Sequence, residues 1–281
     1  MIGERLTLNI LFLGDIVGKP GREILTMVLP DLCRERNIDF IIANGENMAG
    51  GKGVTREVAD DLFKGGVNVL TGGNHTWQNR DSYSFIEEEG RLLRPANYPV
   101  DPNIPGRGFG VFHSRPGYPV GVISLQGRIF MTPIDCPFQK VKRIVDQIRL
   151  QTFIILVDFH AEATSEKIAM GWFLDGSVSA VIGTHTHVPT ADEKILPQGT
   201  AYITDAGMTG SHDGVIGIRR ELVIESMLSR LPVRHKLSTG DLELNGVLIS
   251  IDPGSGKALS IERIHRQLQR EKNREPENHA V

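Results

Sequence analysis

A chain of 281 residues with 40% apolar and 23% charged side chains can bury a substantial core and has the make-up of a folded globular protein. Its 31 basic and 34 acidic residues leave a net charge of −3, which carries neither a nucleic-acid footprint nor an affinity for anionic membranes. Apolar runs of about five residues, such as Phe153–Val157, fall far short of the roughly 20 needed to span a bilayer, and two cysteines make no disulfide framework or thiolate zinc site.

In chain order, Arg5 followed by Leu6 to Leu13 superficially resembles a secretion signal. Asn9 interrupts the run, Gly14-Asp15 closes it and no small-residue cleavage site follows, so Leu8–Leu13 reads as a first buried strand of a cytoplasmic protein. Strands are expected next at Phe40–Ala43 and Val67–Leu70, with helices at Gly21–Arg36, Arg56–Lys64 and Asp81–Glu89. Arg94 to Gly117 carries Pro95, Pro99, Pro102, Pro105 and Pro116 and is expected to be a long loop or edge excursion. Strands at Gly121–Leu125, Phe153–Val157 and Val178–Ile182 then alternate with helices at Phe138–Leu150 and Ser165–Leu174.

A second Gly-rich stretch, Ala206 to Gly217, separates Tyr202-Ile203-Thr204 from the apolar run Leu222–Ile224. Asp241 to Ile264 alternates and turns at Asp252-Pro253-Gly254, the pattern of a β-hairpin, and the mixed-charge tail after His265 is expected to fray. The alternation predicts a layered, partly parallel α/β architecture. With no repeat and no linker, residues 1–281 read as one domain, with loop or cap regions at about 94–117 and 206–240.

The chemistry gathers at strand exits. The first strand ends in Gly14-Asp15, the second in Asn44-Gly45-Glu46-Asn47, the third in Gly72-Gly73-Asn74-His75, a later one in Asp158-Phe159-His160, and the next in Gly183-Thr184-His185-Thr186-His187. Each alone has an ordinary explanation as a cap, a turn or a hydrogen-bonded histidine. Together, on parallel strands, they converge on the edge where open α/β sheets bind ligands. Carboxylate, amide oxygen and imidazole without thiolate suit divalent or trivalent ions such as Mn, Fe, Zn or Co. Seven candidate ligands (Asp15, Glu46, Asn47, Asn74, His160, His185, His187) exceed one tetrahedral ion and fit two ions sharing a carboxylate. Gly45 to Gly53 lacks the Lys-Ser/Thr of a P-loop, Gly14 to Gly21 lacks the dinucleotide glycine spacing, and no Gly-x-Ser-x-Gly elbow is present.

These residues, in order, resemble the calcineurin-like metallophosphoesterases. Gly14-Asp-Ile-Val-Gly18, Asn44-Gly-Glu-Asn47, Gly73-Asn-His-Thr-Trp77, Arg94-Pro-Ala-Asn97, Phe159 to Lys167 and Thr184-His-Thr-His-Val188 are similar to the YmdB branch, bacterial 2′,3′-cyclic-nucleotide phosphodiesterases. Two departures from the wider superfamily, Val17 where His is usual and Glu46 where a bridging Asp is usual, are shared with that branch. The resemblance implies a four-layer α/β/β/α sandwich with mixed sheets and two metal ions, Fe or Mn first and Zn, Co or Mg as alternatives.

It further implies that Asp15, Asn47 and His187 hold one ion, that Asn74, His160 and His185 hold the other, and that Glu46 bridges. His75 matches the family's proton donor. The implied reaction is hydrolysis of a cyclic nucleotide, or another small phosphodiester, by a metal-activated water. Alternatives are a broader metallophosphatase and a regulatory protein acting through partner binding; homo-oligomers occur in the family. Trp77 and Trp172 are candidate base platforms, with Trp172, on an amphipathic helix, expected rather in the core.

Overall fold

A computed structural model describes residues 7–80, 82–99 and 101–268. The chain runs β1 (Leu8–Leu13), β2 (Asp15–Ile16), α1 (Gly18–Glu35), β3 (Phe40–Asn44), α2 (Arg56–Lys64), β4 (Val69–Thr71), α3 (Ser82–Glu88) and β5 (Leu92–Leu93). It continues with β6 (Phe109–His113), β7 (Pro119–Gln126), α4 (Pro137–Ile148), β8 (Ile155–His160), α5 (Thr164–Leu174), β9 (Ala180–Thr184), β10 (Lys194–Ile195), β11 (Ala201–Ile203) and β12 (Met208–Ser211). Helix α6 (Arg220–Ser229) and the long hairpin β13 (Leu242–Ile251) and β14 (Ala258–Leu268) close the order.

Two mixed sheets result. The first has the order β2-β12-β13-β1-β3-β4-β5 with β14 against β13; the second has the order β10-β11-β9-β8-β7-β6. The strands that end in ligand-type residues pair in parallel, β1 with β3 and β3 with β4 in one sheet, β8 with β9 in the other. Their carboxyl ends therefore share one edge of each sheet.

The four layers follow from alternation along strands whose two faces are both covered. Leu8, Ile10 and Phe12 of β1 point between the sheets, where they meet Val122, Leu156, Ile182 and Ile203. Leu11 and Leu13 point outward to Ile24, Leu25 and Leu29 of α1. On the far side, Ile123, Val157 and Val181 pack under Ile144 and Val145 of α4 and Met170 and Leu174 of α5. This is the expected α/β/β/α sandwich, and no helix among the described residues is long and apolar enough to cross a membrane.

The proline-rich stretch makes its excursion to the sheet edge at Phe109–His113, antiparallel to β7, in the proline-free run between Pro105 and Pro116. Other local expectations need correction. Met208–Ser211, inside the second glycine-rich stretch, is a short strand between β2 and β13. Arg266–Leu268, assigned to the frayed tail, stay in β14 because β13 supplies partners as far as Leu242↔Leu268. Residues 269–281 of that tail, and Asp81 at the expected start of α3, lie outside the described residues. Trp172 is 54% exposed, since α5 turns Met170, Gly171 and Leu174 inward and leaves Trp172 outside.

Phe12, 1% exposed between the sheets, tests the shared core. Phe12→Ala is expected to lower unfolding free energy by about 3–5 kcal/mol, read from the urea midpoint at unchanged slope.

Candidate metal centre

All eight residues singled out at the strand exits surround one hollow where the carboxyl edges of the two sheets meet. His160, fully buried at the end of β8, is its hub. Its Nε2 lies 3.0 Å from Asn74 Oδ1, 3.2 Å from Glu46 Oε1 and 3.0 Å from His185 Nδ1. One ligand atom from each of Glu46, His160 and His185 lies within 4.8 Å of the others, a candidate metal cluster. Donors about 2.1 Å from a common cation stand about 3 Å apart when they subtend a right angle, so these separations match neighbouring corners of one coordination shell.

The second group adjoins the first. Asn47 Nδ2 lies 2.9 Å from Glu46 Oε1 and 3.3 Å from His187 Nε2. Asp15 Oδ1 lies 3.8 Å from His187 Nε2 and 3.9 Å from His160 Nδ1; it is buried and accepts no hydrogen bond. Asp15 Oδ2 accepts from the His185 backbone N–H at 3.1 Å, and Glu46 Oε2 accepts from the His75 backbone N–H at 2.9 Å. An ionised oxygen buried without a donor is costly unless a cation faces it.

Each of the three ligand-type imidazoles uses one nitrogen to contact a protein acceptor and turns the other toward the hollow. His160 Nδ1 contacts the Thr184 hydroxyl at 2.9 Å, His185 Nε2 contacts Glu162 at 3.1 Å, and His187 Nδ1 contacts the Ile216 carbonyl at 3.4 Å. Such outer contacts set the tautomer and orientation of metal-binding imidazoles. His75 stands at the rim, its Nδ1 2.7 Å from the Gln78 amide nitrogen and its Nε2 3.4 Å from that of Asn74.

The titration behaviour points the same way. Burial alone depresses the His160 imidazole, but Glu46, Asp15 and Asp158 around it hold it up at about 9. Burial pushes Asp15 up to about 8, with Glu46 and Asp205 adding to the effect. Burial also acts to raise Glu46, yet the charge of His160 and the hydrogen bonds from His160 and His75 bring it down to about 2. His185, desolvated and beside His160, is pushed down to about 3, while burial lowers His187 and His75. The carboxylates crowd one imidazole and require positive charge among them. The residues present thus fit a cation.

A sequence profile described as YmdB-like protein matches residues 11–264. The chain belongs to the YmdB-like family. Among its relatives is a 2′,3′-cyclic-nucleotide 2′-phosphodiesterase of Bacillus subtilis, 47% identical over 257 residues that make up 92% of this chain and 96% of that one. A hypothetical protein from Thermus thermophilus superposes with a TM-score of 0.86 at 38% identity, covering 92% of this chain and 99% of the other. A novel phosphatase from Mycoplasma pneumoniae does so at 0.87 and 34% identity, with 94% of each chain covered.

In this YmdB-like chain the supporting residues are what sequence reasoning missed. His185 and His187 have φ of 99° and 66°, left-handed backbone that side-chain-bearing residues rarely adopt. A buried ion pair holds this exit loop. Lys167 Nζ lies 2.7 Å from Asp205 Oδ2, which also accepts from the Thr186 N–H at 3.1 Å and the Thr186 hydroxyl at 2.7 Å. Gly73 is required by close approach, because a Cβ there would stand 2.3 Å from Glu46 Oε2 and 2.4 Å from His160 Nε2. Gly183 likewise lies against the Thr204 carbonyl, 1.7 Å from where its Cβ would be. Lys167 and Asp205 carry no ligand-like spacing; only the incongruity of a lysine inside a helix otherwise facing a core could have signalled them.

Removing one partner of a buried pair strands the other charge. Lys167→Met is expected to cost about 3–5 kcal/mol of stability in urea unfolding.

Proposed function

We propose that this chain is a dinuclear metal-dependent phosphodiesterase that hydrolyses 2′,3′-cyclic nucleotides. One observation carries the reading: the buried Glu46 carboxylate touches His160, from the His160–His185–Asn74 group, and Asn47, from the Asp15–Asn47–His187 group. A carboxylate so placed suits a bridge, with Asp15, Asn47 and His187 on one ion and Asn74, His160 and His185 on the other. Asn47 would ligate through Oδ1, which a half-turn of its near-symmetric amide brings to the His187 side. The oxygen-rich, thiolate-free donor set favours Fe or Mn.

Bound there, two cations would neutralise phosphoryl oxygens and acidify water. The chain's own residues do the rest. With the Gln78 amide donating to Nδ1, neutral His75 keeps its proton on Nε2, at the rim of the hollow. That atom protonates the departing ribose oxygen, a contribution of typically about 10²–10⁴ in rate. The 2′ oxygen is the leaving group named for the Bacillus relative. Trp77, two residues after His75, packs edge to face with Tyr98 at 4.5 Å, and the pair offers an aromatic wall for the nucleoside. The two sheets share one core between them, which supports reading residues 1–281 as a single catalytic domain.

A broader metallophosphatase is favoured by the Mycoplasma neighbour, named only a phosphatase. A regulatory role through partner binding is favoured by α6, none of whose residues is buried and which exposes Ile224, Met227 and Leu228. Rescue of a deletion phenotype by Asp15→Ala would support that reading over catalysis.

Metal analysis coupled to hydrolysis of 2′,3′-cyclic AMP, 3′,5′-cyclic AMP and p-nitrophenyl esters tests the proposal. His75→Ala is expected to keep its metal and lose at least about 10²-fold in turnover, whereas Glu46→Gln loses metal itself. Normal turnover in His75→Ala, or two ions per chain in Glu46→Gln, would contradict these roles.

A further inference from the structure

The hydrogen bonds beneath His160 have a single consistent direction. Asp158 and His160 stand on β8, and Thr184 is the register partner of His160 on β9. Asp158 is 1% exposed, and Thr184, Thr71, Asn44 and His160 are wholly buried. Asp158 Oδ2 accepts from the Asn44 amide at 2.9 Å and from the Thr71 hydroxyl. Its other oxygen accepts the Thr184 hydroxyl proton at 2.7 Å. A hydroxyl has one proton. The Thr184 oxygen is therefore left to accept from His160 Nδ1 at 2.9 Å. The Asn44 amide nitrogen, 3.4 Å from both His160 Nδ1 and Thr184 Oγ1, is too distant to displace that contact.

Once a cation displaces the Nε2 proton that faces Glu46 and Asn74, the remaining ring proton of His160 is held on Nδ1 and Nε2 is left with its lone pair. That lone pair faces Asn74 Oδ1, Glu46 Oε1 and His185 Nδ1. We propose that Asp158 and Thr184 are positioning residues that lock the Nδ1–H tautomer of His160 and so direct its Nε2 to the cation. A chain with the opposite tautomer would aim an N–H at the hollow and could not ligate through that atom. The inference rests on the reading of His160 as a ligand, and the experiment separates the two.

The probe is Mn²⁺ alone, titrated calorimetrically into the chelator-stripped full chain and into Thr184→Val, Thr184→Ser, Asp158→Asn and His160→Ala. Valine keeps the shape of threonine without its hydroxyl, serine keeps the hydroxyl, and asparagine puts an N–H where an acceptor is needed. Thr184→Val and Asp158→Asn are expected to bind Mn²⁺ about 10–100-fold more weakly, and Thr184→Ser within about threefold of the parent. Turnover of Thr184→Val is expected to return as Mn²⁺ is raised, a recovery that a distorted fold would not give. If Thr184→Val does not fold, Asp158→Asn and Thr184→Ser carry the test. Parent-like affinity in Thr184→Val and Asp158→Asn, or a loss in Thr184→Ser as large as in Thr184→Val, overturns the positioning role. Should His160→Ala also bind like the parent, the ligand reading itself fails.

Discussion

Three buried carboxylates, Asp15, Glu46 and Asp158, surround one buried imidazole, and the rest of the structure is arranged to keep them there. Two like charges about 4 Å apart repel by about 4 kcal/mol at the effective dielectric of a protein. No loop would hold such a cluster on its own. Here each acid stands at or beside a strand end, and the strands are fixed by apolar packing on both faces. The sandwich supplies the rigidity, and the cluster it holds is one that a cation would compensate.

The same logic accounts for the strained exit after β9. Two histidines in left-handed backbone are unfavourable locally, by an order of about 1–3 kcal/mol each. They persist because Asp205 accepts from Thr186 while paired to Lys167, and because Asp15 accepts from the His185 N–H. Lys167 reaches Asp205 from α5, a helix on the outer face, so the helix layer fixes the edge that carries the candidate ligands as well as covering a sheet. Glycines at 73 and 183 complete the arrangement by letting the backbone come within contact of Glu46 and His160 and of the chain at Thr204.

How much of this was legible depends on where the information resides. The parallel strands announced themselves as short apolar runs, and their exits carried ligand-type residues because side chains there project past the sheet edge. The β-hairpin was equally plain, turning at Asp252 where its side chain accepts from the Gly254 N–H. The two-residue β2 and the four-residue β12 were not, since such short segments have no periodicity and exist only because β13 and each other offer partners. Trp172 was misplaced for a related reason: a helix with apolar residues on several faces does not say which face meets the sheet.

Local pattern was enough for the layered α/β class, the family and the set of residues that meet at the strand exits. Apolar period, chain order and side-chain type at strand ends are all written in the linear chain. Three-dimensional packing alone settled which nitrogen of each histidine faces the hollow, that Glu46 touches both groups, and that Asp158, Thr184, Lys167 and Asp205 hold them in place. Those facts arise from contacts between residues far apart in the chain, Asn44 with Asp158 and Lys167 with Asp205 among them. Hydrogen-bond direction and buried charge pairing depend on which groups are brought together in a dry interior, and no stretch of sequence specifies that in isolation.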